Sequence, residues 1–140
     1  MRDNKITLSE AIKFHGHLGP YLVLGLLAGE VALKKLRCNK YFGLRVEVRG
    51  ALKKPKSCFI DGLQLSTGVT YGKGNIYKLG GRKIQANFQH LKDKKNLRIT
   101  FKKDLSEVLG NLISHSESEA LARVLYKTDP AKLFHFIPKN

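Results

Sequence analysis

One stretch decides most of what this chain can become. Between Pro20 and Arg37, the residues Tyr21, Leu22, Val23, Leu24, Leu26, Leu27, Val31 and Leu33 fall on nearly every side of a helical wheel. A helix that is apolar all round is a buried one, so the rest of the chain must build walls around it. Pro20 suits its first position, where a missing N–H costs nothing. The apolar run from Leu18 to Leu33 is interrupted by Glu30 and is shorter than the roughly 20 residues of a membrane span. Gly25 and Gly29 lie four apart on one face. Each weakens the helix by about 1 kcal/mol relative to alanine, which implies close approach of a neighbouring element or of a second copy of the chain.

The flanking patterns supply the walls. Thr7 and Glu10 have capping-box spacing, so a first helix starts at Leu8 and Gly16 is its expected C-cap. Beyond residue 43 the apolar period changes to two. Leu44, Val46 and Val48 alternate with Arg45, Glu47 and Arg49, and the same alternation recurs over Ile84–Phe88 and Leu97–Phe101. Such alternation marks half-buried strands. Gly80-Gly81 reads as a two-residue hairpin turn, which makes Ile76–Leu79 a further strand and the sheet an antiparallel meander with one wet face. The helical pattern returns over 104–113 and 116–127, with Asp104 and Ser116 as expected N-caps; Asp129-Pro130 can open a last short helix. The expectation is an α+β domain: N-terminal helices, one of them central and buried, on the meander, followed by C-terminal helices. It is read as one domain over 1–140, with a core of about 8–103 and a helical C-terminal extension of about 104–140.

Charge narrows the function classes. The chain has 140 residues, 26 Lys and Arg against 11 Asp and Glu, a net charge of +15 and 42% hydrophobic residues. The apolar content excludes a disordered basic tail. With Cys38 and Cys58 as its two cysteines, the chain is neither a disulfide scaffold nor a four-cysteine zinc ribbon. The N-terminal MRDNKITLSE has no apolar run, so a cytoplasmic, non-membrane protein is expected. The charge is concentrated in residues 51–103, where 13 Lys and Arg face only Asp61 and Asp93. Such a field attracts either an anionic small molecule or nucleic acid. For the latter, Arg45, Arg49, Arg98 and Lys102 are available to track phosphates, but the strands lack paired aromatics for stacking bases.

Two segments carry chemistry rather than scaffold. Phe14-His15-Gly16-His17-Leu18-Gly19-Pro20 places two histidines at the joint between two helices. Imidazole is the common metal ligand and general base near neutral pH, and a helix N-terminus beside it favours an anion or thiolate. The second is Ser57-Cys58-Phe59-Ile60-Asp61, continuing through Gln64, Thr67, Gly68 and Thr70 to Gly72-Lys73-Gly74-Asn75. With Cys58 opening a helix, Cys58 and Asp61 share a face. The helix N-terminus and Lys53, Lys54 and Lys56 are expected to lower the thiol pKa. Cys38, by contrast, reads as a small buried hydrophobe. The glycine-rich turn is not a P-loop: its spacing is wrong, Gly74 stands where Ser or Thr is needed, and it follows a helix instead of a strand. A turn aiming Lys73 and Asn75 at a neighbouring cleft is the expectation.

Together, FHGHLGP and SCFIDGLQLSTGVTYGKGN, about 40 residues apart, resemble the paired motifs of the FmdE family, named after a component of the archaeal formylmethanofuran dehydrogenase system. The resemblance covers roughly residues 8–103. It implies an α+β fold, a homodimer, and a cleft where the two motifs meet. It also implies a zinc or other divalent-metal site, and a connection to one-carbon or pterin-cofactor metabolism. The catalytic candidates carried over are His15, His17, Cys58 and Asp61. His17 and Cys58 come first as metal ligands, and His15 and Asp61 are further candidates. Gln64, Thr67, Thr70, Lys73 and Asn75 are the matching ligand-binding positions. Gly19 and Val69 stand where many members have cysteine, and the C-terminal four-cysteine ribbon of longer members has no counterpart. A three-ligand metal site with an open position and a metal-free Cys–His pair are both compatible with this set. Three roles follow: an anion-binding metalloprotein, enzyme or accessory; a nucleic-acid binder; a non-catalytic dimeric accessory protein.

Overall fold

A computed structural model describes residues 5–139. Helices α1 (Leu8–His15) and α2 (Pro20–Leu36) come first, then strand β1 (Leu44–Arg49), helix α3 (Cys58–Thr67), and strands β2 (Ile76–Leu79), β3 (Gln85–His90) and β4 (Asn96–Phe101). Helices α4 (Lys103–Gly110) and α5 (His115–Tyr126), a single 3₁₀ turn at Pro130–Lys132 and strand β5 (Phe134–Lys139) complete it. The α+β reading holds, and α2 is the buried centre: Leu22, Val23, Leu24, Ala28, Ala32 and Leu33 are fully enclosed.

The five strands form one sheet in the order β2-β1-β3-β4-β5. Its inner face, with Val46, Val48, Ala86, Phe88, Leu97, Ile99 and Phe134, packs under the helices. The outer face carries Arg45, Glu47, Arg49, Gln85, Asn87, Gln89, Asn96 and Arg98 around a shallow polar groove. Lys102 is not part of that face; it precedes α4 as its N-cap. Among the described residues no helix is long and apolar enough to cross a membrane.

The sheet departs from the expected meander. β1 and β2 pair in parallel, and β3 pairs antiparallel with β1 on the other side. Gly80-Gly81 is therefore no hairpin turn, because its flanking strands are not neighbours. It lets the chain cross the end of β1: a Cβ at Gly81 would stand 3.3 Å from the Gly50 nitrogen, and one at Gly50 would stand 2.2 Å from the Lys83 carbonyl. The N-caps also shift. α4 starts after Lys102 with no side-chain cap, and α5 is capped by Ser114 in a full capping box with Glu117. Asp129 does cap the short 3₁₀ turn, accepting from the Ala131 N–H. The C-terminal region is not helical throughout, since β5 joins β4 antiparallel, setting Phe134 opposite Phe101 and Phe136 opposite Ile99.

The glycines of α2 serve a contact within the chain. A Cβ on Gly25 would stand 2.2 Å from the Phe59 carbonyl and 2.8 Å from the Gly62 Cα; one on Gly29 would stand 1.9 Å from the Ser66 hydroxyl. Advancing along α2 from 25 to 29 thus advances along α3 from 62 to 66, so the two helices run parallel, nearly backbone to backbone. The Ser66 hydroxyl donates to the Gly62 carbonyl at 2.8 Å and reaches the Gly25 carbonyl at 3.1 Å, satisfying a polar group inside the seam. Parallel packing puts both helix N-termini at one end of the molecule. That end holds the candidate site.

Candidate metal centre

Three elements deliver the site. α1 stops at His15 because Gly16 takes the left-handed conformation, φ 103°, and its N–H returns to the Ile12 carbonyl at 2.7 Å. Gly19 is extended and Pro20 starts α2, so His17 sits on a linker too short to wander. α3 opens with Cys58, whose N–H bonds the Pro55 carbonyl. The result is that one ligand atom each from His15, His17 and Cys58 lie within 4.8 Å of one another. The two imidazoles lean together with ring centroids 4.5 Å apart.

His15 shows how the site is tuned. Its Nδ1 lies 2.6 Å from the Asp61 carboxylate, and its Nε2 is buried with no hydrogen-bond partner. The side chain is only 9% exposed. A buried polar nitrogen without a partner is costly. When Nδ1 donates to the carboxylate, Nε2 carries a bare lone pair, as in the carboxylate–histidine pairs that orient metal ligands. The donor set therefore fits a metal: two imidazoles and a thiol in mutual reach, one with its free lone pair turned away from water. Asp61 lies outside that set. It touches the cluster through His15, with one carboxylate oxygen 2.6 Å from Nδ1.

The Cys58 thiol also departs from expectation. Burial pushes its pKa up, and the Asp61 charge pushes it further the same way; Lys54 pulls it down less strongly. Desolvation outweighs the helix terminus here. The Cys58 N–H also pulls the pKa down, but it is the smallest of these effects, and the first-turn N–H groups are shared with the preceding turn, Cys58 on Pro55, Phe59 on Lys56 and Ile60 on Ser57. Cys38 is buried, as expected of a packing residue.

The remaining motif positions divide. Gln64 links the centre to the glycine-rich turn: its amide donates to Asp61 at 3.3 Å and its carbonyl accepts from the Tyr71 N–H at 3.1 Å. Thr67 is buried, its hydroxyl donating to the Leu63 carbonyl at 2.6 Å and accepting from the Val69 N–H at 3.2 Å. Thr70 and Asn75 tie the turn to itself, through Lys73 N–H to the Thr70 hydroxyl at 3.1 Å and Thr70 N–H to the Asn75 side chain at 2.9 Å. Lys73 donates to the Gly68 carbonyl and lies over the rings of Phe42 and Tyr41, 4.8 and 5.6 Å from their centroids. Lys73 and Asn75 thus face the 39–43 loop, not the His/Cys cluster. Sequence reasoning missed Tyr41 and Phe42, which no periodicity or motif marks; Tyr41 is fixed by its N–H to the Thr67 carbonyl at 2.8 Å.

Known proteins share this architecture. A crystal structure of a tungsten formylmethanofuran dehydrogenase FmdE-like protein from Syntrophus aciditrophicus has the same fold, with a TM-score of 0.65 at 17% identity, covering 94% of this chain and 69% of that one. A probable S-adenosyl-L-methionine-binding protein of Archaeoglobus fulgidus is 31% identical over 93 residues, which is 66% of this chain and 25% of that protein. The chain thus spans about a quarter of the length of that relative. The family profile described as "FmdE, Molybdenum formylmethanofuran dehydrogenase operon" matches residues 14–135. That match runs from the first motif into the last strand, and on it the chain belongs to the FmdE family.

Proposed function

We propose that this FmdE-family chain holds a divalent metal, zinc in the first instance, on His15, His17 and Cys58, and presents it to an anionic ligand. The observation that carries the reading is the buried, unpartnered Nε2 of His15, fixed from behind by Asp61. Three protein ligands of the N and S type with a fourth position left over are the usual arrangement of a reactive zinc site. A bound zinc ion would supply Lewis acidity toward an oxygen ligand.

The chain's own residues do the rest. Asp61 holds the His15 tautomer, and Gln64 holds Asp61. Lys54 lends positive charge beside Cys58, and the parallel N-termini of α2 and α3 add their dipoles. That field favours a ligand ending in carboxylate or phosphate. The raised thiol pKa favours one of the two readings of the cysteine. A thiol held protonated is a poor nucleophile, whereas metal binding deprotonates it outright. Cys58 is therefore read as a ligand. Membership of the FmdE family supports a role beside one-carbon chemistry, as an enzyme or an accessory. S-adenosyl-L-methionine, named for the Archaeoglobus relative, is one carboxylate-bearing candidate to try.

Metal analysis of purified protein, compared with a Cys58→Ala variant, tests the reading. About one equivalent of zinc or another transition metal is expected in the first and a marked loss in the second. Absence of metal from both, even after incubation with zinc, would remove it.

A further inference from the structure

A second feature lies at the opposite end of the α2–α3 pair, where nothing in the motifs points. A cavity of about 1060 Å³ opens between the C-terminal half of α2, the end of α3 and the segment after α5. Leu27 and Val31 of α2 and the Tyr126 ring are among its apolar lining, and Lys34, Arg37 and Lys127 stand at it. Lys5 is also at the cavity but is paired with Glu30 at 3.6 Å. The other acid there, Asp129, is engaged on the Ala131 N–H.

Those three cations are not neutralised by partners: among the described residues none of Lys34, Arg37 and Lys127 forms an ion pair. The Leu33 and Lys34 carbonyls of the last turn of α2 accept backbone N–H groups, from Cys38 and Arg37, and not these side chains. Cations gathered over an apolar floor in a concavity of ligand size are what an amphipathic anion recognises. The cations lie toward the far end of α2 from the metal centre: about 21 Å of helix separates Pro20 from Lys34.

We propose that this groove binds an organic anion with an apolar body, the anionic head on Lys34, Arg37 and Lys127 and the body along Leu27, Val31 and Tyr126. The test is calorimetric titration of the full chain with decyl phosphate, inorganic phosphate and decanol. One equivalent of decyl phosphate is expected to bind, with the other two at least about tenfold weaker, because each offers half of the recognition. Lys34→Glu with Lys127→Glu should cost decyl phosphate at least about tenfold with an unchanged circular-dichroism spectrum. If that double variant does not fold, Arg37→Asn serves instead, since asparagine tolerates the left-handed backbone at 37; a loss of about threefold or more is expected. Equal binding of all three probes, or decyl phosphate binding that ignores the substitutions, would overturn the proposal. So would a dimer in light scattering that the double variant dissolves, which would make the groove an interface between copies.

Discussion

The two ends of the α2–α3 pair are built from the same helices and yet differ in kind. At the N-terminal end the chain gathers nitrogen and sulfur ligands and fixes them with a carboxylate. At the C-terminal end it leaves cations around an apolar hollow. The first is narrow and specified atom by atom; the second is wide and specified by sign and polarity. What makes both possible is the glycine seam between them, which lets two helices lie close enough in parallel to share both ends. The candidate metal centre and the groove thus lie toward opposite ends of one buried helix.

The most damaging change is therefore in the seam. Gly25→Ala would drive a methyl group into the Phe59 carbonyl and the Gly62 backbone, with no flexible side chain to give way. A loss of about 3 kcal/mol in denaturant unfolding is expected, with both ends weakened together. A stable variant that keeps one end and loses the other would break the comparison.

Asp61→Asn separates positioning from coordination. It leaves all three ligands in place but weakens the partner of His15 Nδ1. Zinc affinity should fall by about 10–100-fold in competition with a chelating dye, while the melting temperature of the metal-free chain and decyl phosphate binding change little. A fall as large as that of a lost ligand would mean that Asp61 itself coordinates.

Gly19→Cys sharpens the centre in the other direction. A Cβ at this extended residue would stand 3.4 Å from the His17 ring, so a thiol there can join the cluster and close the fourth position. Zinc should bind about tenfold tighter or more, and a zinc-dependent response to added anions should disappear. Unchanged affinity would place the open position elsewhere.

The smallest effect is in the thiol's titration. Because burial and Asp61 raise the Cys58 pKa, alkylation of the metal-free protein, followed by peptide mapping to exclude Cys38, should have a pH midpoint above that of a reference thiol peptide. The sign carries to stability: the unfolded chain releases the proton first, so the fold loses stability as pH rises through the ordinary thiol range. A midpoint at or below the reference would mean that the helix terminus and lysines win.

Much of the molecule is legible in its sequence, because local physics writes it. The all-round apolar α2, the Thr7–Glu10 box, the left-handed Gly16 and the alternation of β1 are short-range effects that the structure reproduces. The ligand set is legible as a motif, and its convergence follows from two helix starts. What is not legible depends on pairing at a distance. Strand, helix, strand over β1, α3 and β2 is the signature of a parallel crossover, but Gly80-Gly81 imitates a hairpin signal and outweighs it. β5 is hidden by Pro138, which argues against a strand except at a sheet edge, and the edge is where it lies. The proposed division of labour between Asp61 as support and Cys58 as ligand rests on side-chain direction, and one shared helix face cannot distinguish the two. The fate of Lys73 hangs on Tyr41 and Phe42, more than 30 residues away.

Cobalt(II) titration of the metal-free chain tests the central claim most directly. The account predicts saturation at one equivalent, with a thiolate-to-cobalt charge-transfer band that is absent in Cys58→Ala and displaced by zinc. Failure to bind cobalt, or an identical spectrum from the Cys58→Ala variant, would contradict a metal centre built on His15, His17 and Cys58.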